Sequence, residues 1–175
     1  NFFNVALGLF ITLTVIGIGI VSGKLYCVKA VTNYDGKIIK HFYPYYINNE
    51  IAGYKVRDQN KMFVWKGTSQ GTGLFGEQLF RNSGGKYLTI TEGECDALAT
   101  HEMMENKWAC VSIKRGAQAA VKDIRDSIEF VESFENIVLC FDNDQHGRKA
   151  SRDVANIIKN VQDGKDLGSI LTNVE

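Results

Sequence analysis

The chain lacks most of the features that usually declare a function. Its 20 Lys and Arg cancel its 20 Asp and Glu. Net charge therefore announces no nucleic-acid partner, although a local basic stretch still could. Cys27, Cys95, Cys110 and Cys140 form no C-x-x-C pair, which argues against a zinc site. Nothing in their spacing suggests a disulfide framework, as fits a reducing compartment. Cys110 and Cys140 fall inside apolar runs and read as plain core thiols. No internal repeat, low-complexity tract or Walker A motif is visible, so neither a solenoid nor a helicase motor is expected. The 175 residues suffice for one ordinary domain plus a smaller piece. The first residue is Asn1 rather than Met, as expected of a fragment.

Charge is also missing from residues 2–22, where Asn4, Thr12, Thr14 and Ser22 are the clearly polar side chains. Such a run reads first as a transmembrane helix, with Lys24 on its cytoplasmic side. No basic n-region precedes it, which disfavours a signal peptide. Its Ile, Val, Thr and Gly suit buried strands as the alternative. The segment 1–24 is set apart from the functional argument.

Residues 25–86 read as a small, mostly β, basic region. Tyr26–Thr32 and Lys37–Tyr46 are β-prone and are joined by the turn signal Asn33-Tyr34-Asp35-Gly36. Gly53–Arg57 and Met62–Trp65 read as a second strand pair around Asp58-Gln59-Asn60-Lys61, and 67–76 as a Gly-rich loop. From residue 87 to 175 the pattern is α/β. Apolar runs at 87–91, 109–113 and 136–141 alternate with helical patterns. One helix carries Ala120, Val121, Ile124, Ile128 and Val131 on one face; the next carries Ala150, Val154, Ile157, Ile158 and Val161. This alternation predicts a parallel sheet flanked by helices, α+β overall once the β-rich region is added.

Two acidic clusters stand where strands should end. Glu92-Gly93-Glu94-Cys95-Asp96 follows the first run, and Asp142-Asn143-Asp144 follows the third. Parallel strands put their C-terminal ends on one edge, the edge where such sheets bind ligands. Carboxylates gathered there repel one another unless a hard divalent cation with oxygen ligands sits between them. Phosphoryl or nucleotidyl chemistry follows from that pattern. Asp142 and Asp144, two residues apart just past a strand, can reach one site.

Thr91-Glu92-Gly93-Glu94-Cys95-Asp96-Ala97-Leu98 and Phe141-Asp142-Asn143-Asp144-Gln145-His146-Gly147-Arg148-Lys149-Ala150 resemble the paired acidic motifs of the Toprim domain. That domain is shared by DnaG-type primases, topoisomerases and some nucleases. Val111–Ala117 resembles the intervening loop. Lys55-Val56-Arg57-Asp58, Phe63, Lys66-Gly67 and Leu74-Phe75-Gly76 resemble the basic subdomain of T7-type phage primase–helicases. The likeness spans roughly residues 30–160 and omits 1–24. It supplies no zinc-binding module and no helicase half. The resemblance implies a further strand after Ile158 and then a Lys-Asp motif with a third acidic residue; Lys165-Asp166 is present, with Asp166 the candidate third-motif carboxylate, but no strand shows before it in 160–164.

The resemblance implies a DNA primase core that joins ribonucleoside triphosphates on a single-stranded DNA template. It would act with Mg²⁺ or Mn²⁺ and with a helicase domain or subunit as partner, in the cytoplasm of a bacterium or of a phage-infected host. Glu92, Asp142 and Asp144 are the implied catalytic and metal residues, with Glu92 a ligand or general base. The alternative for Glu92 is a carboxylate that complements a helix dipole; for the two aspartates it is a solvated turn. Asp96 is a further metal acid or a dipole partner, and Glu94 is expected to face solvent. Lys55, Arg57, Lys66, Lys114, Arg115 and Arg148 are implied in binding nucleotide or template phosphates; Lys61 is less favoured, and Lys149 is placed like Arg148. The alternative for these cations is an ordinary solvated surface. Phe63 and Trp65 suit base stacking or, more simply, core. His146 reads as an exposed turn residue. Rival functions are a Toprim nuclease using the same acids and a catalytically silent nucleic-acid-binding module.

Overall fold

The computed structural model describes residues 20–82, 85–162 and 170–172. Two compact units divide between Thr72 and Gly73. The first holds helix α1 (Ile20–Leu25) and an antiparallel sheet of β1 (Lys29–Thr32), β2 (Ile38–Ile47), β3 (Glu50–Asp58) and β4 (Phe63–Gly67), in that order. The apolar run at 2–22 lies mostly outside the described residues, its end forming α1. Among the described residues no helix is long and apolar enough to cross a membrane.

Turn chemistry sets the register of this sheet. The Asn33 Oδ1 accepts from the backbone N–H groups of Asp35 (3.1 Å) and Lys37 (2.9 Å), an Asx turn that ends at Gly36 with φ 76°. Asp58 does the same for Asn60 and Met62, both at 2.9 Å. The hairpin between β2 and β3 turns on Asn48 and Asn49, with φ of 49° and 66°. Two left-handed residues between paired Ile47 and Glu50 are the signature of a two-residue hairpin that matches strand twist. Tyr43 and Tyr45 are each 1% exposed and, with Val56, belong to the buried apolar residues of this unit.

The second unit runs α2 (Glu77–Phe80), β5 (Gly85–Thr91), α3 (Glu94–Met103), β6 (Ala109–Ser112), a 3₁₀ turn (Ala117–Ala119), α4 (Ala120–Asp126), α5 (Ile128–Val131), β7 (Phe134–Cys140), α6 (Gln145–Gln162) and β8 (Ile170–Thr172). Its sheet is parallel throughout, in the order β6-β5-β7-β8. Leu88 and Ile90, Val111, and Ile137 and Leu139 pack with Ile124, Val131, Val154 and Ile158 from the helices. Each such side chain contributes about 1.5–3 kcal/mol when fully buried.

Four expectations need correction. The compact unit that holds the parallel sheet begins at Gly73, upstream of the expected start at 87, and there Phe75 exchanges backbone hydrogen bonds with Ser112 (3.0 and 3.2 Å) as an isolated antiparallel bridge on β6. The single helix expected over 120–131 is two helices. Ser127 breaks it with φ −120° and ψ 23°, and its hydroxyl donates to the buried Glu77 carboxylate at 2.7 Å. Helix α6 continues through 160–162, and the strand that completes the sheet lies later, at Ile170–Thr172. Cys110 is a core thiol, pushed by burial to about 12, but Cys140 is exposed, because β7 has reached the sheet edge there.

Candidate functional site

Strands β5 and β7 are neighbours with Thr91 opposite Cys140, so the next residues of both strands leave the sheet side by side. The Glu92 carboxylate accepts from the Asp142 backbone N–H at 3.4 Å. Two residues 50 apart in sequence are thus brought together at one sheet edge. Thr91 fixes the strand end: its hydroxyl lies 3.0 Å from the Gly93 carbonyl and 3.2 Å from the Val111 carbonyl, and its own carbonyl accepts from the Ile113 N–H at 3.1 Å. Glu92 is half-buried; Asp142, Asp144 and Asp96 are exposed.

Asp144 precedes α6, and its Oδ1 accepts from the Gly147 N–H at 2.8 Å, the bond of a helix N-cap. That N–H, more than any other group, holds the Asp144 carboxyl below its usual range. Arg148 reaches back to the turn, donating to the Asn143 carbonyl (2.8 Å) and side-chain oxygen (3.1 Å). Lys149 is paired with Asp153 at 2.5 Å. Gly147 has a steric reason to be glycine: a Cβ there would meet the Asp142 carbonyl oxygen well inside van der Waals distance. His146 is exposed, as expected, but in the first turn of α6. Partial desolvation at the end of β7, and then the charges of Asp96 and Asp142, push the Cys140 thiol up although it is exposed, which places it in the field of both acids.

Among the described residues no three His, Cys, Asp or Glu side chains already converge on one point that could hold a metal. The donor set nevertheless suits a hard cation. Mg²⁺ is commonly bound by one or two carboxylates together with substrate phosphates and water, not by an all-protein cage, and Glu92 with Asp142 supplies that minimum. Asp166 lies outside the described residues.

Several candidates sit differently from expectation. Glu94 is 3% exposed in the first turn of α3, not solvent-facing, because its helix packs on β6 and β5. Lys114 is also 3% exposed, and burial holds its ammonium below the ordinary lysine range. Arg115 is bound to Asp123: Nε donates to Oδ1 at 2.8 Å, Nη2 donates to the same oxygen, and Asp126 lies 3.6 Å away. Lys114 is therefore not presented to solvent, whereas Arg115 stays exposed while ion-paired to Asp123. Asp123 and Glu77, both buried, went unnoticed in sequence, where each looks like an ordinary helix acid.

In the first unit, register sorts the basic residues. Lys55 pairs with Trp65 and Arg57 with Phe63, whereas Lys66 pairs with Tyr54. Directly opposed residues share a face, so Lys55 and Arg57 lie on one side of the sheet and Lys66 on the other. The Lys55 ammonium sits 4.7 Å and the Arg57 guanidinium 5.8 Å from the Phe63 ring centroid, within cation–π range. Phe63 is 49% exposed and is not core; Trp65 is half-buried against Tyr45 at 4.8 Å. Burial and the nearby Arg57 charge hold His41 below its usual value. The zero net charge conceals a split. Residues 1–72 carry eight Lys and Arg against three Asp and Glu, a net +5, and residues 73–175 carry 12 against 17, a net −5.

Comparison with known proteins gives a consistent result. A family described as Toprim-like matches residues 89–168. The DNA helicase/primase of Enterobacteria phage T3 is 40% identical over 111 residues, which are 63% of this chain and 19% of that protein. The chain thus spans about a fifth of the length of that relative. The primase fragment of the bacteriophage T7 primase-helicase is 32% identical with a TM-score of 0.79, over 93% of this chain and 64% of the other. A chain from a structure of the T7 lagging-strand DNA polymerase interacting with primase domains bound to an RNA/DNA hybrid and dTTP is likewise 32% identical. Its TM-score is 0.78, over 93% of this chain and 78% of the other.

Proposed function

The chain belongs to the Toprim family of T7-type phage primases, and on that premise we propose that it is a DNA primase core that joins ribonucleotides on single-stranded DNA. The observation that carries this reading is the pair Glu92 and Asp142, held at the shared end of adjacent parallel strands. In the reaction a primer 3′-hydroxyl attacks the α-phosphorus of an incoming ribonucleoside triphosphate, and pyrophosphate leaves. A divalent ion, Mg²⁺ or Mn²⁺, supplies a lowered hydroxyl pKa and neutralises charge that builds on phosphorus. Glu92 and Asp142 would hold it, Asp144 and Asp96 completing the acidic edge. Glu92 would serve as that ligand or, alternatively, as the base that accepts the hydroxyl proton. Asp144 in addition fixes the start of α6, and Arg148 braces the turn between the two aspartates through Asn143.

Lys55, Arg57 and exposed Phe63 form the surface we assign to the template, the cations to phosphates and the ring to a base. Lys66 serves the opposite face of the same sheet. A helicase domain or subunit is the partner implied by the T3 relative, a DNA helicase/primase, and a zinc-binding module is the expected reader of start sites.

The test is extension of a short RNA annealed to single-stranded DNA, with labelled ribonucleotides and Mg²⁺. Wild type is expected to extend the RNA in a metal-dependent way. Glu92→Gln and Asp142→Asn are each expected to lower the rate by on the order of 10²-fold or more. Metal-dependent degradation of either strand would replace this reading with the nuclease. Binding without any chemistry would leave a silent module.

A further inference from the structure

The sharpest unassigned feature is the carboxylate of Asp123, on α4 and 0% exposed. Burial of a charge is tolerated when its lone pairs are filled, and here they are. Oδ2 accepts from the backbone N–H groups of Lys114 (2.8 Å) and Arg115 (3.1 Å). Oδ1 accepts from Nε and Nη2 of Arg115. The two residues so held begin the turn after β6, on the edge where β5 and β7 also end. That turn is itself tied to the end of β5, just before Glu92, because the Ile113 N–H donates to the Thr91 carbonyl and the Thr91 hydroxyl lies against the Val111 carbonyl. A continuous set of hydrogen bonds thus runs from Asp123 through residues 113–115 to the residue before Glu92.

We propose that Asp123 is a positioning residue: it clamps the turn at 113–115 against the end of β5 and so sets the placement of Glu92 at the reaction edge. Arg115 then serves as the clamp's counter-charge, not as a phosphate ligand. The clamp stands on the hydrogen bonds alone; its effect on rate rests on the primase reading above.

The two parts are tested by different readouts. Asp123→Asn keeps the shape but replaces one acceptor oxygen with an NH₂ and removes the negative charge. Whichever way the amide turns, the bonds from the Lys114 and Arg115 N–H groups lose their charge-assisted strength. Amide hydrogen exchange over 113–116 is expected to quicken in Asp123→Asn by on the order of tenfold or more. Arg115→Ala, which removes the counter-charge but spares both backbone bonds to Oδ2, should quicken those amides less than Asp123→Asn does. In primer extension, Asp123→Asn is expected to lower kcat on the order of tenfold to a hundredfold, as small misplacements do, with KM for ribonucleotides within about twofold. Arg115→Ala should leave KM within about twofold as well. Unchanged exchange in a folded Asp123→Asn overturns the clamp. A several-fold rise in KM for Arg115→Ala overturns the counter-charge role and restores Arg115 as a phosphate ligand, and this arm stands even where Asp123→Asn does not fold. Should wild type extend no primer, the proposed function fails, and the exchange comparison still decides the clamp.

Discussion

At the scale of single residues, the site depends on one glycine as much as on its acids. Gly147 sits where α6 starts under the Asp142 carbonyl, and its N–H satisfies Asp144. Gly147→Ala is expected to cost about 1–3 kcal/mol, the range for overpacking. It should also lower primer extension more than template binding, because the turn that must move carries both aspartates; thermal unfolding and the extension assay check the two halves. The meeting of Glu92 and Asp142 at one sheet edge was legible in the sequence, because their spacing after apolar runs is a backbone property of parallel strands. Side-chain direction was not. Glu94 and Lys114 read as surface charges and are buried, Phe63 read as stacking or core and is exposed, and Arg115 read as a phosphate contact and is exposed but ion-paired to Asp123. Each depends on what a helix or turn packs against, which no local pattern records.

Among the elements, the join between α2 and the α4–α5 break shows what a buried acid does for a fold. Glu77 accepts from the Leu74 N–H at 2.8 Å, the Ser127 hydroxyl at 2.7 Å and Arg81 at 2.5 Å. Glu77→Leu leaves the two internal donors without an acceptor, at about 1–3 kcal/mol each. A loss of this size should lower Tm by about 4 °C or more, given about 2–4 °C per kcal/mol for chains of this length, and differential scanning calorimetry measures it. If Glu77→Leu unfolds with the wild type, these bonds do not hold α2 in place. Strands β5, β6 and β7 and helix α6 were legible from periodicity, and the first hairpin from Asn33–Gly36. The second hairpin carries its own local signal, Asn48-Asn49, two residues that tolerate the left-handed region. The break at Ser127 was hidden because the apolar spacing of 120–131 continues straight through it. The last strand, β8, is three residues long, too short for an alternation to show.

For the whole molecule, net charge was the least informative number and its division the most. A unit of +5 and a unit of −5 suit one surface for a polyanion and another for cations. Binding of single-stranded DNA is accordingly expected to weaken with salt despite the neutral total. Lys55→Ala and Arg57→Ala should each reduce the log–log salt slope by about 0.7, the value for one phosphate contact on a single strand. A slope unmoved by both substitutions would remove this face from the template path. The order β6-β5-β7-β8 has a further consequence, in time instead of space. β5 meets β7 through residues such as Leu88 and Ile137, and it cannot do so until the helices and strand between them have been made. On a ribosome, β5 and β6 emerge first and pair, leaving one side of β5 as an open edge of unsatisfied amides. The chain must close a loop of about fifty residues before that edge is covered. Glu92 and Asp142 therefore come together only late in folding, and a chain stalled before β7 is complete exposes an adhesive strand while lacking half of its acids.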